Sequence, residues 1–156
     1  MSGKVFKYGD NVNTDVIIPA RYLNDASKEN LRAHAMEDID PNFAKEVHEG
    51  DFVVGGFNFG SGSSREHAPL ALKAAGVRAV IAKSFARIFY RNAVNIGLYI
   101  VESPEMADEI NKNDILTVEN GILTDVTTGK SYPLPAMDDF VARILERGGL
   151  MEAAKQ

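Results

Sequence analysis

The densest run of residues able to do chemistry is Gly60-Ser61-Gly62-Ser63-Ser64-Arg65-Glu66-His67. It follows the apolar stretch Phe52-Val53-Val54 and precedes Leu70, Ala71, Leu72, Ala74 and Ala75. A strand that runs through glycines into a helix leaves backbone N–H groups unpaired and pointing outward, and such a junction favours an anion. Arg65 adds a planar fork of donors suited to a carboxylate or a phosphate. Three common glycine-rich motifs do not fit. A dinucleotide fingerprint needs a third glycine where Arg65 stands, a P-loop needs Gly-Lys-Ser/Thr, and a nucleophile elbow needs Gly-x-Ser-x-Gly. A purely structural reading competes: Ser63 as N-cap with Glu66 three residues later forms a capping box. Pro69 would then lie inside the helix; with Pro69 in the first turn instead, Ser63, Ser64 and Arg65 are free loop.

The other candidates are weaker. Asp10, Asn11, Asn13 and Asp15 in GDNVNTD could hold a cation or a substrate, but Asx turns account for them. Arg21 reads as a lone surface arginine, and Arg87 and Arg91, one helical turn apart, as a solvated face. His34, His48 and His67 show no i, i+4 pairing, so no metal site is expected from this chain, and His67 is read as orienting the glycine-rich loop. The sequence contains no cysteine, which removes disulfides, thiolate nucleophiles and thiolate ligands; iron–sulfur chemistry would need another polypeptide.

Composition bounds the class. With 156 residues, 45% hydrophobic and 25% charged, the chain is large enough to bury its own core, and no linker or repeat divides residues 1–156 into more than a single domain. A net charge of −5 is the reverse of a nucleic-acid footprint. No apolar run approaches the roughly 18 residues needed to span a bilayer, and the first residues lack a signal-peptide core. The expectation is a cytoplasmic protein with neither nucleic acid nor membrane as partner.

The elements that must position the cluster alternate. Val5–Tyr8 reads as a strand, as does the β-branched run Val16–Ile18, ended by Pro19. A helix is expected over Lys28–Met36, then a strand at Phe52–Val54 and a helix closed by Gly76 at its C′ position. Ala79–Ala82 is a buried strand. Ser84 is expected to cap a helix whose Phe85, Ile88, Phe89, Ala93 and Ile96 recur at helical spacing before Gly97. Leu98–Val101 is a strand and Pro104 starts a helix to about Asn111. Ile115–Glu119 and Ile122–Asp125 flank Asn120-Gly121, a type I′ hairpin signal, and Asp138–Arg147 is a closing helix. Strand, helix, strand, helix, strand predicts a parallel sheet with antiparallel strands attached, an α/β fold in three layers.

The segments NTDVIIPARYL, GSGSSREHAP and AVIAKSFARIFYRNAVNIGL together resemble the small subunits of 3-isopropylmalate dehydratase, in the aconitase superfamily. The resemblance spans most of the chain. It implies a three-layer β/β/α swivelling domain of the aconitase type, closing over a large, cluster-bearing dehydratase subunit; the 4Fe-4S cluster is expected there, with no cofactor in this chain. The implied reaction is a hydro-lyase step of leucine biosynthesis. A 2-hydroxy dicarboxylic acid loses water to an unsaturated acid, and rehydration moves the hydroxyl to the neighbouring carbon, so that 2-isopropylmalate becomes 3-isopropylmalate. By the same resemblance Ser63 is the base, Ser64 binds a substrate carboxylate, and Arg65 grips substrate and steadies the serine alkoxide. In the loop that follows Pro19, Arg21 is a candidate carboxylate ligand, and Tyr22, Leu23 and Asn24 lie near the substrate's variable arm. No second basic residue follows Arg21 there, which disfavours an arm ending in a carboxylate, as in homoaconitate. A dehydratase for 2,3-dimethylmalate and a stand-alone carboxylate- or phosphate-binding module are the alternatives.

Overall fold

The computed structural model describes residues 2–63 and 65–134. Ser64 and the helix expected over Asp138–Arg147 lie outside the described residues. A seven-stranded mixed sheet organises the chain, in the order β4-β3-β2-β1-β5-β6-β7. β1 (Ser2–Lys7), β2 (Phe52–Gly55), β3 (Ala79–Ala82) and β4 (Tyr99–Glu102) run parallel, whereas β5 (Ile115–Glu119), β6 (Ile122–Asp125) and β7 (Lys130–Pro133) add antiparallel pairs. β1 serves both halves. Its end Val5–Lys7 pairs with Phe52–Val54, and its beginning, Ser2–Lys4, pairs with Ile115–Thr117.

The strand period of two divides the apolar side chains between two faces. On one face Phe6, Val53, Val80 and Ile100 join a core with Leu31 of α2 (Lys28–His34), Phe43 of α3 (Phe43–Glu46), Leu72 of α4 (His67–Ala74) and Phe89 of α5 (Arg87–Asn95). On the other, Val5, Phe52, Val54 and Ile81 meet Leu116, Val118 and Leu123 of the antiparallel strands and Met106, Ala107 and Ile110 in and after α6 (Pro104–Glu109). Each of the large side chains buried in this way contributes roughly 1.5–3 kcal/mol relative to exposure. Helices, parallel sheet, and antiparallel strands with α6 make the three layers expected of an α/β fold.

Most helix ends follow their residues. Gly76, at φ +95°, closes α4 with Val77 N–H donating to Leu72 O and Gly76 N–H to Lys73 O, the paired bonds of a Schellman stop. Ser103 caps α6 through Met106 N–H, and Asn120-Gly121 adopts positive φ at both positions, as a type I′ turn requires. Two expectations fail, and so does one of the two readings open for the glycine-rich run. Val16–Ile18 is not a strand: Thr14–Ile17 forms the short helix α1, because Asn13 Oδ1 accepts from Val16 N–H at 2.9 Å and Thr14 and Ile17 become buried. An N-cap of about 1 kcal/mol plus that burial exceeds the few tenths by which β-branching disfavours a helix. Ser84 does not cap α5, which begins at Arg87 after Ala86; its Oγ instead accepts from Asn58 N–H at 2.8 Å. The Ser63–Glu66 capping box does not form either. α4 starts at His67 with Glu66 at the cap position and no side-chain bond, Pro69 sits in its first turn, and Ser63 and Arg65 are loop. β7, a fourth difference, was not foreseen from the sequence.

Candidate active site

Loops after β1, β2 and β3 converge at the C-terminal ends of three adjacent parallel strands, where open α/β sheets place their ligands. Backbone bonds fasten them. Phe59 N–H donates to Ser84 O at 3.0 Å and Ala86 N–H to Phe59 O at 2.9 Å, zipping the β2–α4 loop to the β3–α5 loop. Gly60 N–H donates to Val12 O at 2.7 Å and Thr14 N–H to Ser61 O at 2.8 Å, joining the loop after β1. Thr14 Oγ1 donates to Ser63 O at 2.9 Å. Glycine at position 60 is required twice over: its φ is +83°, and a Cβ there would lie 2.2 Å from Cγ of Phe89. Phe89 in turn packs edge-on to Phe59, with ring centroids 5.4 Å apart.

These loops enclose an open cleft of about 300 Å³, lined by Thr14, Ser63, Arg65, Arg87, Ile88 and Asn92, with Gly60, Gly62 and Phe89 between them. Ser63 is exposed to the cleft, while Arg65 keeps only 18% of its side chain exposed. Arg65 Nη1 donates to Asp15 Oδ1 at 2.6 Å and to Ile18 O at 3.4 Å. The hydrogen bond and charge of Arg65 hold the Asp15 carboxyl below the usual range, helped by the Ala20 amide and the charge of Arg21. Nη1 is one of three nitrogens in the fork, so Arg65 keeps further donors for a ligand. A serine hydroxyl, a charge-paired guanidinium and a turn of positive-φ glycines in one cleft can bind a carboxylate and stabilise an oxyanion beside it.

Of the site residues expected from the sequence, Ser63 and Arg65 share this cleft and Ser64 lies outside the described residues. Arg21, Tyr22, Leu23 and Asn24 do not line it. Arg21 and Tyr22 lie in a 3₁₀ turn, Ala20–Tyr22, and face the α2–α3 connection. Arg21 Nη2 donates to Asp38 Oδ1 at 2.6 Å and to Glu37 Oε2 at 3.0 Å. Tyr22 donates its hydroxyl to Glu37 Oε2 at 2.5 Å and stacks on His34 at 3.7 Å between ring centroids. The Tyr22 hydroxyl, then His34, then Arg21 hold the Glu37 carboxyl down to about 2. Leu23 packs half-buried against the helix-side core, and Asn24 is exposed. The turn touches the cleft only through its start, where Ile18 O accepts from Arg65 and Asp15 meets Ala20.

Thr14 and Asn92 carry no signal of their own in the sequence, which accounts for Asp15 by an Asx turn and for Arg87 by a solvated face. Arg87 opens the helix that follows β3, and this position at a parallel strand's C-terminal end was the signal available. Among the described residues no three His, Cys, Asp or Glu side chains group as metal ligands, and no helix is long and apolar enough to cross a membrane.

Comparison with known proteins places these features. The aconitase C-terminal domain family matches residues 21–106, a span that includes Ser63, Arg65 and Arg87. The 3-isopropylmalate dehydratase small subunit of Nautilia profundicola is 55% identical over 158 aligned residues, covering 100% of this chain and 95% of its own. That of Aquifex aeolicus is 57% identical, covering 99% and 94%. A crystal structure of a 3-isopropylmalate dehydratase from Methanocaldococcus jannaschii superposes with a TM-score of 0.81 at 44% identity, over 99% of this chain and 92% of that one.

Proposed function

The chain belongs to the family of 3-isopropylmalate dehydratase small subunits, and from that premise we propose that it supplies the base and the carboxylate grip for the interconversion of 2- and 3-isopropylmalate. The observation that carries this reading is the meeting of Ser63 and Arg65 in one cleft, across from the loop after β1. Being a small subunit, the chain works with a large one. The four-iron cluster of the complex is proposed to be held by that partner. This chain has no cysteine, and its described residues form no group of metal ligands, so it does not fit the role of cluster carrier.

The residues on this side have one task, moving a proton. The C–H bond next to a carboxylate breaks, its proton passes to the Ser63 alkoxide, and the electron pair left behind becomes the double bond; the hydroxyl would leave as water on the partner's side, where the cluster would supply the Lewis acid and a second acid the proton. Serine is a poor base in water. The Arg65 charge favours its alkoxide, and the same fork of donors stabilises charge growing on the substrate carboxylate. Asp15 holds Arg65 by its Nη1 edge, leaving the opposite edge of the fork for substrate. Ser64 is proposed as a further carboxylate ligand. Tyr22, Leu23 and Asn24 are proposed to lie near the alkyl arm once the partner closes over this face, with Arg21 held by Glu37 and Asp38 at the root of that loop. In the return step Ser63 gives its proton to the carbon that lost the hydroxyl, water adds at the neighbouring carbon, and the Ser63 alkoxide is restored, which completes the isomerisation.

Ser63→Ala in the assembled complex tests the reading. Turnover of 2-isopropylmalate should fall about 10²–10⁴-fold while the two subunits still elute together. Unchanged turnover would remove Ser63 from the mechanism.

A further inference from the structure

We infer that Arg87 binds the substrate's second carboxylate. The inference rests on the dicarboxylic substrate proposed above and deepens it by naming the residue that takes the far acid group. The argument is one of charge. A dicarboxylate entering the cleft leaves water with two negative charges, and each desolvated carboxylate needs a cationic partner. Arg65, held by Asp15 at 2.6 Å beside Ser63, is committed to the reacting centre and the first carboxylate, so the second needs another cation. Arg21 is spent on Glu37 and Asp38, and it lies outside the cleft. Arg87 differs. It lines the cleft, is exposed, and its side chain makes no hydrogen bond or ion pair among the described residues.

Its backbone position makes this stable. Arg87 is the first residue of α5, fixed by Phe89 against Gly60 and Phe59, so the root of its side chain stays put while the guanidinium is free to close on a ligand. The planar fork matches a carboxylate in bidentate fashion, which a point charge does not. The cleft then presents two arginines of different roles: Arg65 beside Ser63 at the reacting centre, and Arg87 with its charge uncompensated.

The test uses the complex reconstituted anaerobically from the full chain and its cognate large subunit. kcat and KM for 2-isopropylmalate are measured for wild type, Arg87→Gln, Arg87→Lys and, as a control on the same helix outside the cleft, Arg91→Gln. Arg87→Gln should raise KM about ten- to a hundredfold, with kcat within about threefold of wild type, the loss expected of a charge-assisted carboxylate contact. Arg87→Lys should recover part of that KM, and Arg91→Gln should match wild type. A KM unchanged in Arg87→Gln, in a complex that turns over normally, overturns the assignment and leaves the proposed function standing. So does a loss of subunit association at unchanged KM, which would make Arg87 a partner contact. Failure of the wild-type complex, its cluster intact, to turn over 2-isopropylmalate overturns the proposed function itself, and the Arg87 assignment with it.

Discussion

Arg65 is oriented by a residue far away in the chain. Its partner Asp15 is 66% exposed, and an ion pair at that exposure adds little to stability. Its value lies in aim, since a guanidinium held at one edge presents the other in a fixed direction. Asp15→Asn should therefore shift the unfolding midpoint by no more than a few degrees, yet lower kcat/KM of the assembled complex about tenfold, as thermal denaturation and steady-state kinetics would show together. Ser63 and Arg65 could be read from the sequence because they sit two residues apart in one glycine-rich run. Asp15, Thr14 and Arg87 could not. They arrive by way of loops on neighbouring strands, and a lone Asp in an Asn-rich turn or a lone Arg on a helix looks the same whether it faces solvent or a cleft. The Arg21–Asn24 segment is the opposite case: its residue types suit a ligand, and in this structure Glu37, Asp38 and the helix-side core engage Arg21, Tyr22 and Leu23 away from the cleft.

At the scale of elements, the cleft depends on how closely α5 approaches the glycine-rich loop. Gly60→Ala places a methyl group against the Phe89 ring at a positive φ and should cost roughly 2–5 kcal/mol from backbone strain and overpacking together. Gly121→Ala is the matched control. Its φ is +75° but no atom lies within 4 Å of the added carbon, so only the backbone cost of roughly 1–2 kcal/mol should appear. Denaturant unfolding of the two variants side by side separates strain from collision. The buried parallel strands were legible as short continuous apolar runs, FVV, AVIA and YIV, because both their faces are covered. β7 was not, since Lys130-Ser131-Tyr132-Pro133 buries only Tyr132 and lies at the sheet's edge. The Val16–Ile18 run misled for the opposite reason: a strand-like sequence was recruited into a capped turn of helix by the loop it serves.

Across the whole molecule, pH acts on the antiparallel half through Asp125, at the end of β6 and beside Asp114 just before β5. Asp125 is fully buried; its Oδ1 accepts from Thr127 N–H at 3.1 Å and Thr128 N–H at 3.3 Å, and burial, then the Asp114 carboxyl, push its pKa up to about 6. The folded chain thus holds a proton that the unfolded chain releases near 3.8, and stability falls as pH rises from about 4 through 6, by about 2–3 kcal/mol. Glu37 acts with opposite sign and lower down, its contribution present above 4.5 and lost as pH falls towards 2. Asp125→Asn imitates the protonated acid. Melts at pH 4.5 and 7 should show a flatter pH response than wild type and a higher midpoint at pH 7. The β1 strand also joins the two halves of the sheet, and this has a kinetic cost. Val5 finds Phe52 early, but Ser2 must find Thr117, and no other paired strands of the sheet lie as far apart in the chain as β1 and β5. Contacts of such sequence separation slow folding, and at roughly 5–20 residues per second of synthesis β1 waits several seconds for β5. During that interval its edge is an open template for other chains, and a nascent molecule is at greatest risk of aggregating through the very strand that later closes the sheet.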